Sequence, residues 1–303
     1  MSAFGNPASR AEAEEQVLFV PDRDSGIAQI VLNRPAKRNA LSVPMRERMA
    51  SLVRACELDA AIKVVLFRGN GPSFCSGNEL NEDWGQRTAD KRRFTLSDAV
   101  RYGTDMTYGR QSFTQAITRC SKITLLEMHG YCAAAAYFMI ATHCDLVVAQ
   151  EDAKIGAIEG RFLGPAGAVS HIHLNRILGV KAARHIGYTA EPVSGREMFE
   201  FGLVHKCVGA GADVHQAALE VAAQVAASPA ARLRFLKARI KAAEGFVGAS
   251  MPAMPGLLVS HFLKSEPDEL DFWKAVRTGG VGQALNADKT RARAPAGGGK
   301  SDD

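Results

Sequence analysis

The sequence predicts an α/β fold, and three observations carry that prediction. Short apolar, β-branched runs alternate with stretches of helical periodicity, the pattern of strands joined by crossover connections. The final third changes to alanine-rich helix. The composition, 47% hydrophobic and 23% charged over 303 residues, is that of a folded globular chain rather than a disordered or fibrous one.

Residues 1–15 are polar and Ala/Glu-rich and are expected to be disordered. Ile27–Leu32 reads as a strand behind the turn Asp24-Ser25-Gly26. Pro44–Cys56 puts Met45, Met49, Leu52, Val53 and Cys56 on one helical face, with Ser42 as N-cap. Val64–Arg68 is a short buried strand closed by Gly69-Asn70-Gly71. Glu82–Lys122 has no clean periodicity before about Ser97 and reads as a lid. Ile123–Met128 is a strand, followed by Gly130, an alanine-rich helix over about Ala133–Thr142 and a buried strand at Leu146–Ala149. Asp213 opens a helix to about Ala227, Ser228-Pro229 opens a second ending near Gly245, and a third is expected over Leu257–Val276. The Gly/Ala/charge-rich tail from about Asn286 reads as disordered.

Several function classes drop out. The net charge of +5, from 37 Lys+Arg against 32 Asp+Glu, is spread along the chain without a Lys-rich helix, so nucleic acid is not an expected partner. A small polyanionic ligand needs only a few placed cations and stays open. The longest apolar stretch, Cys132–Ala141, is about half of the roughly 20 residues a bilayer span needs. The start MSAFGNPASRAEAEEQ lacks the basic-then-apolar pattern of a signal peptide. The six cysteines never form a C-x-x-C pair and several lie in apolar runs, which predicts free thiols in a reducing compartment, the cytoplasm. His171 and His173 are the only close histidine pair, and no metal site is expected.

Five stretches carry a resemblance: IAQIVLNRPAKRNALS (27–42), FCSGNELNE (74–82), HGYCAAAAYFMIATHCDLVVA (129–149), IGAIEGRFLGPAG (155–167) and GREMFEFGLVHKCV (195–208). In this order the chain resembles the enoyl-CoA hydratase/isomerase (crotonase) superfamily over roughly residues 16–245. The resemblance implies a crotonase-like spiral of ββα repeats over 16–208 and a C-terminal helical region over 209–285, with 286–303 as tail. It also implies acyl-CoA thioesters as substrates, no cofactor besides the CoA of the substrate, and a homotrimer or hexamer. Phe246, Met251, Met254, Phe262, Phe272 and Trp273 supply apolar surface for such an interface.

Chemistry at a thioester puts negative charge on the carbonyl oxygen as an enolate forms, and two backbone N–H groups stabilise it; losing one costs about 3–4 kcal/mol. The resemblance places these donors at Asn78, after Gly77, and at Ala135, or Ala136 in the shifted register. It assigns Lys37, Arg38, Ala40, Gly77, Glu79, Leu80 and Asn81 to CoA or substrate contact. Two departures matter. Ala134-Ala135-Ala136 replaces a glycine run, and alanine adopts positive φ only at a cost. The segment from Gly130 to Asp145 is also one residue longer than usual. Of the two glutamates that hold water in the family's hydratases, Glu159 matches the second, whereas the first falls on Met139 or Phe138. One carboxylate suffices for double-bond isomerisation and is a weaker basis for hydration. The expected function is therefore acyl-CoA transformation with Glu159 as single acid/base; the alternative is a catalytically impaired CoA-binding paralogue. Without the resemblance, Glu159 reads first as a loop carboxylate paired with arginine, and Asp145, His129 and His143 read as structural.

Overall fold

The computed structural model describes residues 7–80, 113–161, 168–246 and 272–293. A hairpin of β1 (Val17–Asp22) and β2 (Ile27–Leu32) opens the main sheet. Its turn is held by the Asp22 carboxylate, which accepts from the N–H groups of Asp24 and Ser25 at 3.1 and 3.2 Å. β3 (Val64–Gly69), β4 (Ile123–Met128), β6 (Leu146–Gln150) and β9 (Lys206–Val208) then add in parallel, giving the order β1-β2-β3-β4-β6-β9. Parallel strands need cover on both faces. One face is covered by α6 (Val214–Ala226), whose Val214, Ala218, Val221 and Ala222 pack on Ile27, Val64, Leu66, Leu125 and Val148. On the other face Ala28, Ile30, Val65, Phe67, Leu126 and Val147 join the main core with α2 (Val43–Leu58).

A second, smaller sheet runs beside the first. β5 (Tyr131–Ala133) pairs in parallel with β7 (Lys154–Gly156), and β8 (Val193–Ser194) closes it antiparallel. Isolated parallel bridges extend it, Cys75 to Cys132 and Leu41 to Asn78. Each circuit of the chain thus lays one strand on the main sheet and then one short rung on the small sheet. This spiral is the architecture expected, and it stacks the motif stretches 37–41, 74–80, 129–136 and 154–161 as successive rungs.

The remaining helices are α1 (Pro7–Gln16), α3 (Phe113–Arg119), α4 (Ala168–Thr189, broken at Gly179), α5 (Gly195–Glu200), α7 (Ala230–Phe246) and α8 (Phe272–Arg293, broken at Gly280). The Ser42 hydroxyl caps α2 from Met45 N at 3.3 Å, and Asp213 caps α6 from Gln216 N at 3.0 Å. Ser194 and Glu197 form a reciprocal capping box on α5. Among the described residues no helix is long and apolar enough to cross a membrane.

Three expectations are corrected. Most of the stretch 1–15 lies in helix α1, because Ala13 buries against the core and the Glu15 and Gln16 carbonyls accept from Asn33. The tail does not lose order at Asn286: α8 runs on to Arg293, with Ala284 buried and Pro295 beyond its end. The alanine-rich helix begins later than expected, because Tyr131–Ala133 is drawn into the small sheet as β5. Its end is a π-turn over Tyr137–Ala141, in which Thr142 N reaches back five residues to the Tyr137 carbonyl at 3.2 Å. A single-turn π-bulge absorbs one extra residue, the surplus counted between Gly130 and Asp145. Most of the helix expected over Leu257–Val276 and most of the Glu82–Lys122 lid lie outside the described residues.

Candidate active site

The site is built where three rungs of the small sheet end together. Gly77 adopts φ +107, a conformation that favours glycine, and its neighbourhood has no space for a side chain. A Cβ there would sit 2.8 Å from Ala134 Cβ, 3.2 Å from the Ala133 carbonyl and 3.4 Å from Ala135 N. The turn carrying Asn78 and the turn carrying Ala135 are thus held face to face. Leu41 N donates to Gly77 O at 2.7 Å and Glu79 N to Leu41 O at 3.0 Å, which leaves the Asn78 N–H outside that bridge. Ala133 N donates to Cys75 O at 3.1 Å and Ala134 N to Gly156 O at 2.9 Å. Ala135 is the next residue, at the start of the helical turn, where N–H groups have no intrahelical partner. No acceptor among the described residues takes the N–H of Asn78 or Ala135.

Ala134 carries the cost expected of the missing glycine: its φ is +52. Left-handed backbone costs an alanine roughly 1–2 kcal/mol, part of which glycine forfeits through its freer unfolded chain. Ala134→Gly is expected to raise Tm by about 1–2 °C, read by calorimetry; a lower Tm would show that the strain is absent.

Glu159 follows β7 on a short 3-10 turn, Ile158–Arg161. It is 6% exposed, and its Oε2 has no hydrogen-bond partner. Burial pushes its pKa up to about 8, against a smaller opposing contribution from its own backbone N–H. The arginine-paired reading does not hold, since the Arg161 guanidinium pairs with Glu191 at 2.6 Å. Phe138, one of the two positions expected to match the family's first glutamate, is buried and apolar; the Met139 side chain lies outside the described residues.

The other expected residues divide. Lys37 and Arg38 are exposed, and the Arg38 guanidinium lies 5.2 Å from the centroid of the Tyr131 ring. Lys154 Nζ approaches the same ring at 5.5 Å, so two cations flank one aromatic beside the Gly77 turn. Buried Asn39 fixes this loop: its side chain accepts from Arg34 N at 2.7 Å and donates to the carbonyls of Asn70 and Ser73. Glu79 is a brace, its carboxylate held by Arg34 at 2.6 Å, while the same guanidinium donates to the Ala40 carbonyl. Leu80 is half-buried at the end of that turn, and Asn81 lies outside the described residues. Asp145 accepts from Thr124 N at 2.7 Å and from Lys237, tying α7 to the sheet. His129 bonds the Gly71 carbonyl at 2.9 Å and His143 bonds Thr142 Oγ1 at 2.9 Å. Burial drives the Cys132 and Cys75 thiols well away from thiolate, Cys75 to about 12, which speaks against a nucleophilic role.

Sequence reasoning missed Arg46, Tyr131 and Lys154. Fully buried Arg46 donates to Asn78 Oδ1 at 2.7 Å and so positions the first turn. Tyr131 and Lys154 meet only because β5 and β7 pair.

The fold and site define a class: a β-spiral protein in which two facing turns carry N–H groups with no acceptor among the described residues, beside a buried carboxyl with an unbonded oxygen. The chain belongs to the enoyl-CoA hydratase/isomerase family, whose model matches residues 22–246. It is 34% identical over 206 residues to enoyl-CoA hydratase AFT3-1 of Alternaria alternata, covering 68% of this chain and 65% of that protein. It is 26% identical to the putative enoyl-CoA hydratase EchA13 of Mycobacterium tuberculosis, covering 86% of this chain and 83% of the relative. The chain thus spans somewhat under two thirds of the length of the Alternaria relative. An enoyl-CoA hydratase/isomerase structure from Xanthobacter autotrophicus Py2 superposes with a TM-score of 0.78 at 27% identity, covering 93% of this chain and 99% of that one.

Proposed function

We propose that this protein transforms acyl-CoA thioesters through an enolate, with Glu159 as its single carboxylate acid/base. The observation that carries this reading is the Glu159 carboxyl itself, buried and unpaired one short turn beyond Gly156, whose carbonyl anchors Ala134. In the mechanism the thioester oxygen lies between the N–H groups of Asn78 and Ala135. Glu159 as carboxylate takes the proton from C2 of a 3-enoyl group, the charge moves to the oxygen, and the protonated Glu159 returns the proton at C4. The double bond thereby moves into conjugation. Exposed Lys37 and Arg38, together with Lys154 on the ring of Tyr131 that Arg38 also approaches, support binding of the CoA nucleotide beside these turns. A merely CoA-binding paralogue is disfavoured, because an unpaired buried carboxyl destabilises a scaffold that has no use for it.

Assembly as a homotrimer or hexamer is part of the proposal, and exposed Phe235, Leu236 and Ile240 on α7 support it. Phe246, Phe272 and Trp273 have side chains outside the described set, and Met251, Met254 and Phe262 lie wholly outside it. The six free cysteines support a reducing location such as the cytoplasm.

The test is a panel of 2-enoyl-, 3-enoyl- and 3-hydroxyacyl-CoAs with product identification across pH. Isomerisation is expected to outpace hydration. The base form of Glu159 accumulates as pH rises, so kcat/KM should climb to a plateau with a midpoint near pH 8. A midpoint in the ordinary carboxylate range would remove the assignment of a buried Glu159 as base.

A further inference from the structure

We propose that Tyr137 is the second polar group of the site, holding the water that Glu159 activates in whatever hydration this protein performs. The inference deepens the enolate reading above and rests on it. β5 and β7 run in parallel, with Ala133 opposite Gly156. Both strands end at that pair and turn at once into short helical segments. Tyr137 lies four residues past Ala133 and Glu159 three residues past Gly156, on neighbouring turns tied by the Ala134–Gly156 hydrogen bond. Tyr137 is fully buried, and its ring packs tilted against Phe138 at 5.2 Å.

The phenol oxygen and Glu159 Oε2 are both buried without a hydrogen-bond partner. They do not bond each other. Yet the Glu159 charge contributes to raising the Tyr137 phenol, behind burial and the neighbouring Cys132, as befits groups on adjoining turns. A buried polar atom left unpaired costs about 1–3 kcal/mol. Two such atoms on adjacent turns are satisfied together by one water between them, and buried waters bridge groups of this kind.

In hydration that water directs one O–H at the Glu159 carboxylate and the other at the Tyr137 oxygen, leaving a lone pair for C3 of a 2-enoyl thioester. The O–C3 bond forms as Glu159 takes the first proton. The C2–C3 π pair shifts toward the thioester, whose oxygen receives the charge. Glu159 then returns its proton to C2, so the elements of water are added and the carboxylate is regenerated. The second water proton stays on the new hydroxyl, and Tyr137 keeps its own proton throughout. Isomerisation needs no water and makes no use of Tyr137.

The test is Tyr137→Phe, with hydration of a 2-enoyl-CoA and isomerisation of a 3-enoyl-CoA measured on the same preparation. Their ratio is unaffected by any fraction of misfolded protein. The expected result is a fall in the hydration-to-isomerisation ratio of about tenfold or more, with KM values and Tm essentially unchanged. A purely structural tyrosine would lower both activities together, and an unchanged ratio overturns the proposal. Wild-type protein that isomerises without hydrating overturns it too, leaving the enolate reading intact. Wild-type protein that does neither refutes the enolate reading first, and this inference with it.

Discussion

Replacing Glu159 by glutamine is expected to remove activity while making the protein more stable. Losing a positioned acid/base costs about 10²–10⁴-fold in kcat, and both isomerisation and hydration should fall by that factor. CoA affinity should stay within about twofold, because the proposed nucleotide contacts are Lys37, Arg38 and Lys154 rather than Glu159. The stability effect follows from the sign of the shift. Glu159 has a folded-state pKa of about 8, raised from 4.5, so the folded state holds its proton where the unfolded state has released it. Stability from this group is intact below the unfolded pKa and declines as pH rises from there toward 8. Glutamine has no such titration. The gain should therefore be a few kcal/mol, or roughly 4–8 °C in Tm, at pH 8, and should vanish near pH 4.5. Thermal melts of both proteins across that range check it. A Glu159→Gln variant that retains wild-type turnover, or that is less stable at pH 8, contradicts the assignment.

Gly77→Ala is the second large effect. The new methyl group would lie 2.8 Å from Ala134 Cβ and close to Ala135 N, so one turn must move away from the other. The backbone at φ +107 adds strain for any side chain. If the N–H groups of Asn78 and Ala135 act together on the thioester oxygen, their displacement should cost about 10²–10³ in kcat, with affinity for free CoA nearly unchanged. Adding Ala134→Gly removes the atom in closest conflict, so the double variant should recover part of the loss. A correctly folded Gly77→Ala protein with wild-type kcat would show that the facing turns are not the oxygen's binding site.

Much of the scaffold was legible because its signals are local. The strands at Ile27, Val64, Ile123 and Leu146 are short apolar runs, and the α2 face of Met45, Met49, Leu52, Val53 and Cys56 is buried throughout. The strands of the small sheet were not legible. β5, β7 and β8 are two or three residues long, and pairing between distant segments makes them strands, not composition. The site divides in the same way. Glu159, Gly77 and Asn78 sit at motif positions, so counting reaches them. Tyr137, the proposed second partner of the water, escaped because the count sought a carboxylate at Phe138 or Met139, whereas Tyr137 opens the π-turn that absorbs the extra residue. Arg46 escaped because a charged residue between apolar helix positions normally faces solvent; here it is fully buried against Asn78. Glu79 was placed on the substrate because its motif is there, but its carboxylate is engaged by Arg34.

The central claim is that Glu159 and the two facing turns generate an enolate from a bound thioester. Exchange of the C2 protons of a saturated acyl-CoA in D₂O tests this without choosing among downstream reactions, since it needs only proton removal, charge on the thioester oxygen and return of a deuteron. Nuclear magnetic resonance should show enzyme-dependent loss of the C2 proton signal with wild-type protein and a fall of at least about 10²-fold in that rate with Glu159→Gln. Saturating acyl-CoA binding without any exchange, or undiminished exchange in Glu159→Gln, would contradict it.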